Sequence, residues 1–234
     1  MSPSSGLRRP LTGIYRRLLA HYGPQHWWPG ESPFEVAVGA ILTQSAAWVN
    51  VEKALGRMKA AGVWSPQALL ETPEEELARL IYPSGYFNAK ARKLKAFAAM
   101  LYKRFSGDLA RLLATPWPEL RPILLETHGI GPETADSIIL YASGQAVFVV
   151  DAYTRRILPR LGVQPDRDNY ASWQALFMDN LSRDARLFNE YHALLVRHGK
   201  ELCRRDPLCA ACPLLDVCPT GKARLGQRQG SEKG

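Results

Sequence analysis

Apolar residues recur at helical spacing along almost the whole chain, with short Pro-, Gly- and Ser-containing turns between the runs. Leu11, Ile14, Tyr15, Leu18, Leu19 and Tyr22 mark a first amphipathic helix, which Gly23-Pro24 stops. Pro33 opens an almost wholly apolar stretch through Leu42, the pattern of a buried helix. Another helix is predicted from Trp48 to Ala61, ending at Gly62. Ser65-Pro66 and Thr72-Pro73 read as two helix starts, each with acidic residues following. Lys90 to Phe105 is a long amphipathic run, with Lys90, Arg92, Lys93, Lys95, Lys103 and Arg104 assigned to its polar side. Helices are also predicted from Pro118 to Thr127, from Pro132, and over Ala152–Leu161, Ala171–Phe177 and Phe188–Leu202. Only Ala146–Val150 resembles a strand, and it is short enough to be an extended linker. The pattern predicts an all-α protein.

Composition narrows the classes. The 234 residues are 46% hydrophobic and 22% charged, which fits a globular chain able to bury one large core or two small ones. No apolar run reaches the roughly 18 residues of a membrane span, and the first residues lack the apolar core of a secretory signal. No membrane association and a cytoplasmic, nucleoid-associated location are therefore expected. The formal net charge of +8 suits a polyanionic partner without identifying one. Residues 221–234 are rich in Gly, Lys and Arg with little apolar content, and a disordered tail is expected there.

One stretch carries chemistry. His128-Gly-Ile-Gly-Pro-Glu-Thr-Ala135 lies between two helical runs, and a lone carboxylate follows in Val149-Val150-Asp151. Gly129 and Gly131 are expected to turn with positive φ and to let the backbone approach another molecule closely. Pro132 at the first helical position costs no hydrogen bond, and the free N–H groups of such a helix start suit a phosphate. Glu133 and Asp151 are thereby candidates beside a grip on a nucleic-acid backbone. Each also has a plainer role, Glu133 as a first-turn acid and Asp151 as a helix N-cap.

All four cysteines, Cys203, Cys209, Cys212 and Cys218, fall within sixteen residues after a helix. Without a secretory signal, clustered cysteines point to metal rather than to disulfides. The C-x5-C-x2-C-x5-C spacing lacks the long central spacer of a zinc ribbon. A single loop wrapped on a cubane fits it better, so one structural 4Fe–4S cluster is favoured over zinc.

Together these features resemble the helix-hairpin-helix, Gly/Pro-Asp superfamily of DNA base-excision glycosylases, in its endonuclease III-like, iron–sulfur branch. The resemblance runs from about Trp28 to Cys218 and is carried by Leu42-Thr43-Gln44, by Gly85-Tyr86-Phe87-Asn88-Ala89-Lys90-Ala91, by the hairpin with Asp151, by His198-Gly199-Lys200 and by the cysteine loop. The first cysteine gap is five residues where the family usually has six. The resemblance implies two helical domains flanking a DNA cleft, one over residues 32–139 and one joining 1–31 to 140–220. It also implies a monomer acting on duplex DNA that holds a damaged base, with the target nucleotide rotated out of the stack. Gln44 matches the position that fills the vacated stack, Tyr86 the wedge against the opposite strand, and Gly129, Gly131 and Thr134 the hairpin contacts to DNA.

Asp151 matches the family's essential aspartate. A carboxylate there stabilises the positive charge that develops on the deoxyribose and orients water. Glu133 stands where strand-cutting relatives carry a nucleophilic lysine, and a glutamate forms no imine. The chain is thus expected to remove a base and to leave the strand intact. Lys200 matches a position beside the pocket, where a salt bridge to Glu133 or carbamylation is open. His26-Trp27-Trp28-Pro29 and Trp48 place three of the six tryptophans, with Pro29, near the predicted pocket, and an indole face attracts cations. N-methylated purines such as 3-methyladenine are cationic and leave readily, and the constellation resembles the 3-methyladenine glycosylases of this branch. The alternatives are a mismatch or oxidised-base glycosylase on the same scaffold, or a non-catalytic binder of DNA structure.

Overall fold

The structure, a computed structural model, describes residues 5–27 and 30–231. Thirteen α-helices are present among them: α1 (Ser5–Tyr22), α2 (Pro33–Leu42), α3 (Trp48–Ala60), α4 (Pro66–Glu71), α5 (Glu74–Leu80), α6 (Phe87–Phe105), α7 (Leu109–Ala114), α8 (Trp117–Leu125), α9 (Pro132–Ser137), α10 (Ala152–Arg160), α11 (Tyr170–Met178), α12 (Ala185–Glu201) and α13 (Pro219–Ser231). A π-helical turn, Ile138–Ala142, continues α9. No strand occurs among the described residues, and Ala146–Val150 is extended chain.

The chain divides into two compact units. One is residues 28–145, and the other joins 1–27 to 146–234. The boundaries expected after residues 31 and 139 thus fall after 27 and 145. The second shift follows from the π-helical turn, whose buried Ile138, Ile139 and Leu140 pack against α2 and stay with its unit.

In the 28–145 unit, α6 lies against α2, α4 and α5, and α2 lies against α3, α9 and the π-helical turn. Fully buried Ile41, Leu42, Val51, Met58, Leu94, Phe97, Leu101, Leu120 and Leu124 form its core. Each such side chain contributes about 1.5–3 kcal/mol through removal from water. The helix starts follow the sequence signals. Ser32 and Ser65 accept N–H bonds from Glu35 and Ala68, at 3.2 and 3.0 Å, ahead of Pro33 and Pro66. Thr72 differs from its expected role: its hydroxyl donates to Ala68 O at 2.7 Å and closes α4, and Pro73 alone precedes α5.

Lys90 corrects the amphipathic reading of α6. It is 1% exposed. Its ammonium donates to Leu42 O at 2.8 Å and Ser84 O at 2.6 Å. Those carbonyls close α2 and a 3-10 turn at Tyr82–Ser84, ends that lack partners within their own helices. A helical wheel sorts a lysine outward by charge and cannot register two carbonyl acceptors from distant segments.

In the second unit, α12 packs on α1 and α10. Phe148 stacks on Phe177, centroids 3.6 Å apart and planes 6° from parallel, and meets Phe188 and Tyr191 edge-on. The expected disordered tail is corrected as well, since α13 runs through Ser231 and residues 232–234 lie outside the described set. Pro219 presets its first turn. Gly221 is buried where a Cβ would come within 3.1 Å of Leu215, so the helix docks closely on the cysteine loop. Low average hydrophobicity missed this contact because one small residue creates it.

Candidate functional site: a hairpin, a buried carboxylate and a cysteine loop

The hairpin of the 28–145 unit joins α8 to α9. Gly129 has φ +80, and an added Cβ would collide with the side-chain methylenes of Lys93, so glycine is required twice over. Gly131 does not share that geometry. Its φ is −90 with ψ 177, it caps α9, and nothing stands within 4 Å of where a Cβ would be. The positive φ expected at both glycines is therefore confined to Gly129; Pro132 needs an extended residue before it, which accounts for Gly131. Arg121 of α8 clamps the wholly buried Asp136 of α9 through two hydrogen bonds, 2.7 and 3.1 Å, and locks the two helices together.

Gln44, just after α2, reaches this hairpin. Its Nε2 donates to Gly129 O at 3.0 Å and to Thr134 Oγ1 at 2.9 Å, and its Oε1 accepts from the Lys93 ammonium. The structure thus brings together Gln44, Gly129 and Thr134, with Thr134 nearly buried. Tyr86 precedes α6 with φ +46 and is 75% exposed, an unusual placement for a large aromatic residue. Lys90 ties both loops, because its acceptor carbonyls each lie two residues ahead of Gln44 and Tyr86. Burial, reinforced by the Lys93 charge, lowers the Lys90 ammonium to about 8. Glu133 sits exposed in the first turn of α9, and its carbonyl accepts from Ser137 Oγ at 2.7 Å. The Trp48 indole N–H donates to Glu52 at 2.7 Å.

In the other unit, Asp151 caps α10. Its Oδ1 accepts from the Thr154 N–H at 2.8 Å and the Thr154 hydroxyl at 2.9 Å. Its Oδ2 faces His192 Nε2 of α12 at 3.5 Å. Both side chains are buried. Burial pushes the Asp151 carboxyl up, but the facing His192 and the two Thr154 donors outweigh it and hold the group below its ordinary range. Trp27 belongs to this unit, with the Lys200 ammonium over its ring 5.8 Å from the centroid. Trp28 and Pro29 lie outside the described residues.

The four cysteines line one pocket with Arg160, Leu202 and Leu215. Among the described residues no three ligating side chains converge as they would on a single ion. Four thiols on one pocket are a donor set that would suit a cubane, whose irons take one thiolate each at separate corners. The donor set fits such a group. Burial and then the neighbouring Cys203, Cys218 and Cys209 push the Cys212 thiol up to about 11, a repulsion that a cationic iron cluster relieves. Arg160 donates to Cys203 Sγ at 3.4 Å and to Arg204 O at 2.7 Å, while Arg156 holds Cys203 O at 2.9 Å. His198 Nε2 stands 3.7 Å from Cys212 Sγ, and its Nδ1 meets the Tyr22 hydroxyl at 3.0 Å.

Sequence reasoning missed Lys93, Arg121, Thr154, His192 and His198 as parts of these sites. Asp151-x-x-Thr154 was the one local signal, a capping spacing; the others depend on contacts distant in sequence.

Comparison with known proteins identifies the family. Residues 38–183 match the family described as HhH-GPD superfamily base excision DNA repair protein. The chain belongs to this superfamily. It is a DNA glycosylase of the helix-hairpin-helix, Gly/Pro-Asp class, similar to endonuclease III. A Methanocaldococcus jannaschii protein named "Putative DNA repair glycosylase MJ1434" is 42% identical over 207 residues, covering 88% of this chain and 94% of the relative. Endonuclease III of Bacillus subtilis is 27% identical, over 82% of this chain and 84% of the relative. An endonuclease III–DNA complex shares the fold at TM-score 0.80 and 23% identity, covering 93% of this chain and 98% of that one. The Helicobacter pylori 3-methyladenine DNA glycosylase bound to 1,N6-ethenoadenine aligns at TM-score 0.68 and 27% identity, over 86% and 98%.

Proposed function

We propose that the chain is a monofunctional glycosylase that hydrolyses the N-glycosidic bond of cationic, N-methylated purines in duplex DNA. The observation that carries this reading is the pair of acids: an Asp151 carboxylate held anionic in a buried site, and Glu133 where an amine nucleophile would be needed to cut the strand. As the base departs with the electrons of the glycosidic bond, positive charge develops on the sugar. The Asp151 anion stabilises that charge and orients the water that attacks C1′. A cationic purine leaves as a neutral base, so no strong general acid is required.

Duplex binding falls to the hairpin backbone at Gly129 and Gly131 and to Thr134, with Gln44 filling the vacated stack and Tyr86 wedging the opposite strand. The exposure of Tyr86 supports its part. Trp27, Trp28, Pro29 and Trp48 would supply the cation-attracting faces, a reading that the Lys200 ammonium 5.8 Å from the Trp27 ring centroid supports. Cys203, Cys209, Cys212 and Cys218 would hold one 4Fe–4S cluster, which serves as a structural tie for the loop. The protein acts as a cytoplasmic monomer.

The test is a panel of duplexes carrying 3-methyladenine, 7-methylguanine, 8-oxoguanine, thymine glycol or a G·T mismatch, with released bases identified by mass spectrometry and strands resolved on denaturing gels. Release of methylated purines from uncut strands is expected. Release only of oxidised or mismatched bases, or borohydride trapping of a covalent protein–DNA adduct, contradicts the proposal.

A further inference from the structure

The N-cap role of Asp151 uses one carboxylate oxygen. Oδ1 takes both Thr154 donors, and capping needs nothing more. A capping aspartate ordinarily leaves its second oxygen to solvent. Here Oδ2 faces His192, a residue 41 positions away on α12, with the two side chains only 10% and 7% exposed. The imidazole has little freedom to turn. It meets Phe148 edge-on, centroids 6.5 Å apart, and Phe148 is in turn stacked on Phe177. A second partner brought from a distant helix onto the other oxygen is more than a cap requires.

We propose that His192 is a positioning residue for base excision, fixing the direction and charge of the Asp151 carboxylate while Thr154 holds its other oxygen. The inference rests on the reading of Asp151 as the catalytic carboxylate. Two anchors from two helices restrict the carboxylate to one plane, so that its negative charge is aimed before DNA arrives. The 3.5 Å separation is in the range that shortens when a substrate completes a site. The groups around the pair are Thr154 on α10, the Tyr170 hydroxyl of α11, which holds the Val150 N–H at 3.2 Å, and Tyr191 on α12. Burial raises the Tyr191 phenol far above its ordinary value and its hydroxyl donates to Leu11 O, so it stays neutral. Of these groups, His192 is the one placed against Oδ2.

The test compares wild type, His192→Phe, His192→Gln and Asp151→Asn as full-length purified proteins. Duplex DNA methylated with dimethyl sulfate is the substrate, and release of 3-methyladenine and 7-methylguanine is followed under single turnover across pH. His192→Phe keeps a ring and loses the donor. It is expected to slow release about 10- to 100-fold, at unchanged duplex affinity, and to move the acid limb of the profile to higher pH. His192→Gln places an N–H donor near the same oxygen and is expected to recover most of the rate. A wild-type rate and profile in His192→Phe overturns the proposal. So do equal losses in Phe and Gln variants that track their melting temperatures, because that pattern marks packing alone. If His192→Phe does not fold, a wild-type acid limb in Asp151-competent His192→Leu or an unrecovered rate in His192→Gln decides against it. Full activity in Asp151→Asn instead sinks the reading of Asp151 itself, which separates the two failures.

Discussion

Lys90 and Asp151 are both buried charges, one in each compact unit, and they are satisfied in opposite ways. Lys90 spends its donors on two main-chain carbonyls that end neighbouring segments, Leu42 and Ser84. Its chemistry is finished within the fold. Asp151 has one oxygen saturated by Thr154, while the other meets a histidine at a longer 3.5 Å. Lys90 is bonded to two main-chain carbonyls, whereas Asp151 keeps one oxygen on a longer contact. On the proposed function, the difference separates a staple from a reagent.

The comparison breaks or holds on stability first. Lys90→Met leaves two carbonyls without a donor, a penalty of about 1–3 kcal/mol each. A fall of roughly 5–20 °C in melting temperature is expected for a chain of this size. Asp151→Asn keeps a cap of similar quality and is expected to cost about 1 kcal/mol or less. Equal losses in the two variants, read by thermal melting, would make Asp151 another staple.

The two charges also respond oppositely to pH. The Lys90 ammonium falls to about 8 in the folded protein, against an ordinary 10.5, so the unfolded chain binds the extra proton between those values. Wild-type stability should therefore rise relative to Lys90→Met as pH increases from 8 toward 10.5. Asp151 is held below its ordinary 3.8, so its contribution is present above that value and lost as pH falls through the lower folded one. Chemical denaturation across pH measures both, and Asp151→Asn should remove the acid-side loss. The smallest effect is expected for Thr154→Val, which loses one hydroxyl bond to Oδ1 and about 0.5–1.5 kcal/mol.

The same contrast explains what the sequence disclosed. Helix starts at Ser32-Pro33 and Ser65-Pro66, the turn at Gly129 and the cysteine spacing are local, because each signal and the backbone it shapes lie within a few residues. Gly131 was read like Gly129 because both are glycines, yet the following proline, not a left-handed turn, sets its conformation. Lys90 is buried by Leu42 and Ser84, distant segments that its own periodicity does not mark, and the final helix is held by the close approach of Gly221 to Leu215, which average hydrophobicity does not register. Asp151 was legible from the motif around it. His192 was not, since its only sign is an imidazole on a long amphipathic helix, and the Phe148 cluster beside it joins the linker before Asp151 and α11 to α12 itself.

The most direct test of the account is single-turnover release of methylated purines by wild type and Asp151→Asn, with melting temperatures measured on the same preparations. The account expects a loss of release of at least about 100-fold at nearly unchanged stability, with the strand uncut by either protein. Equal release by the two proteins would contradict it.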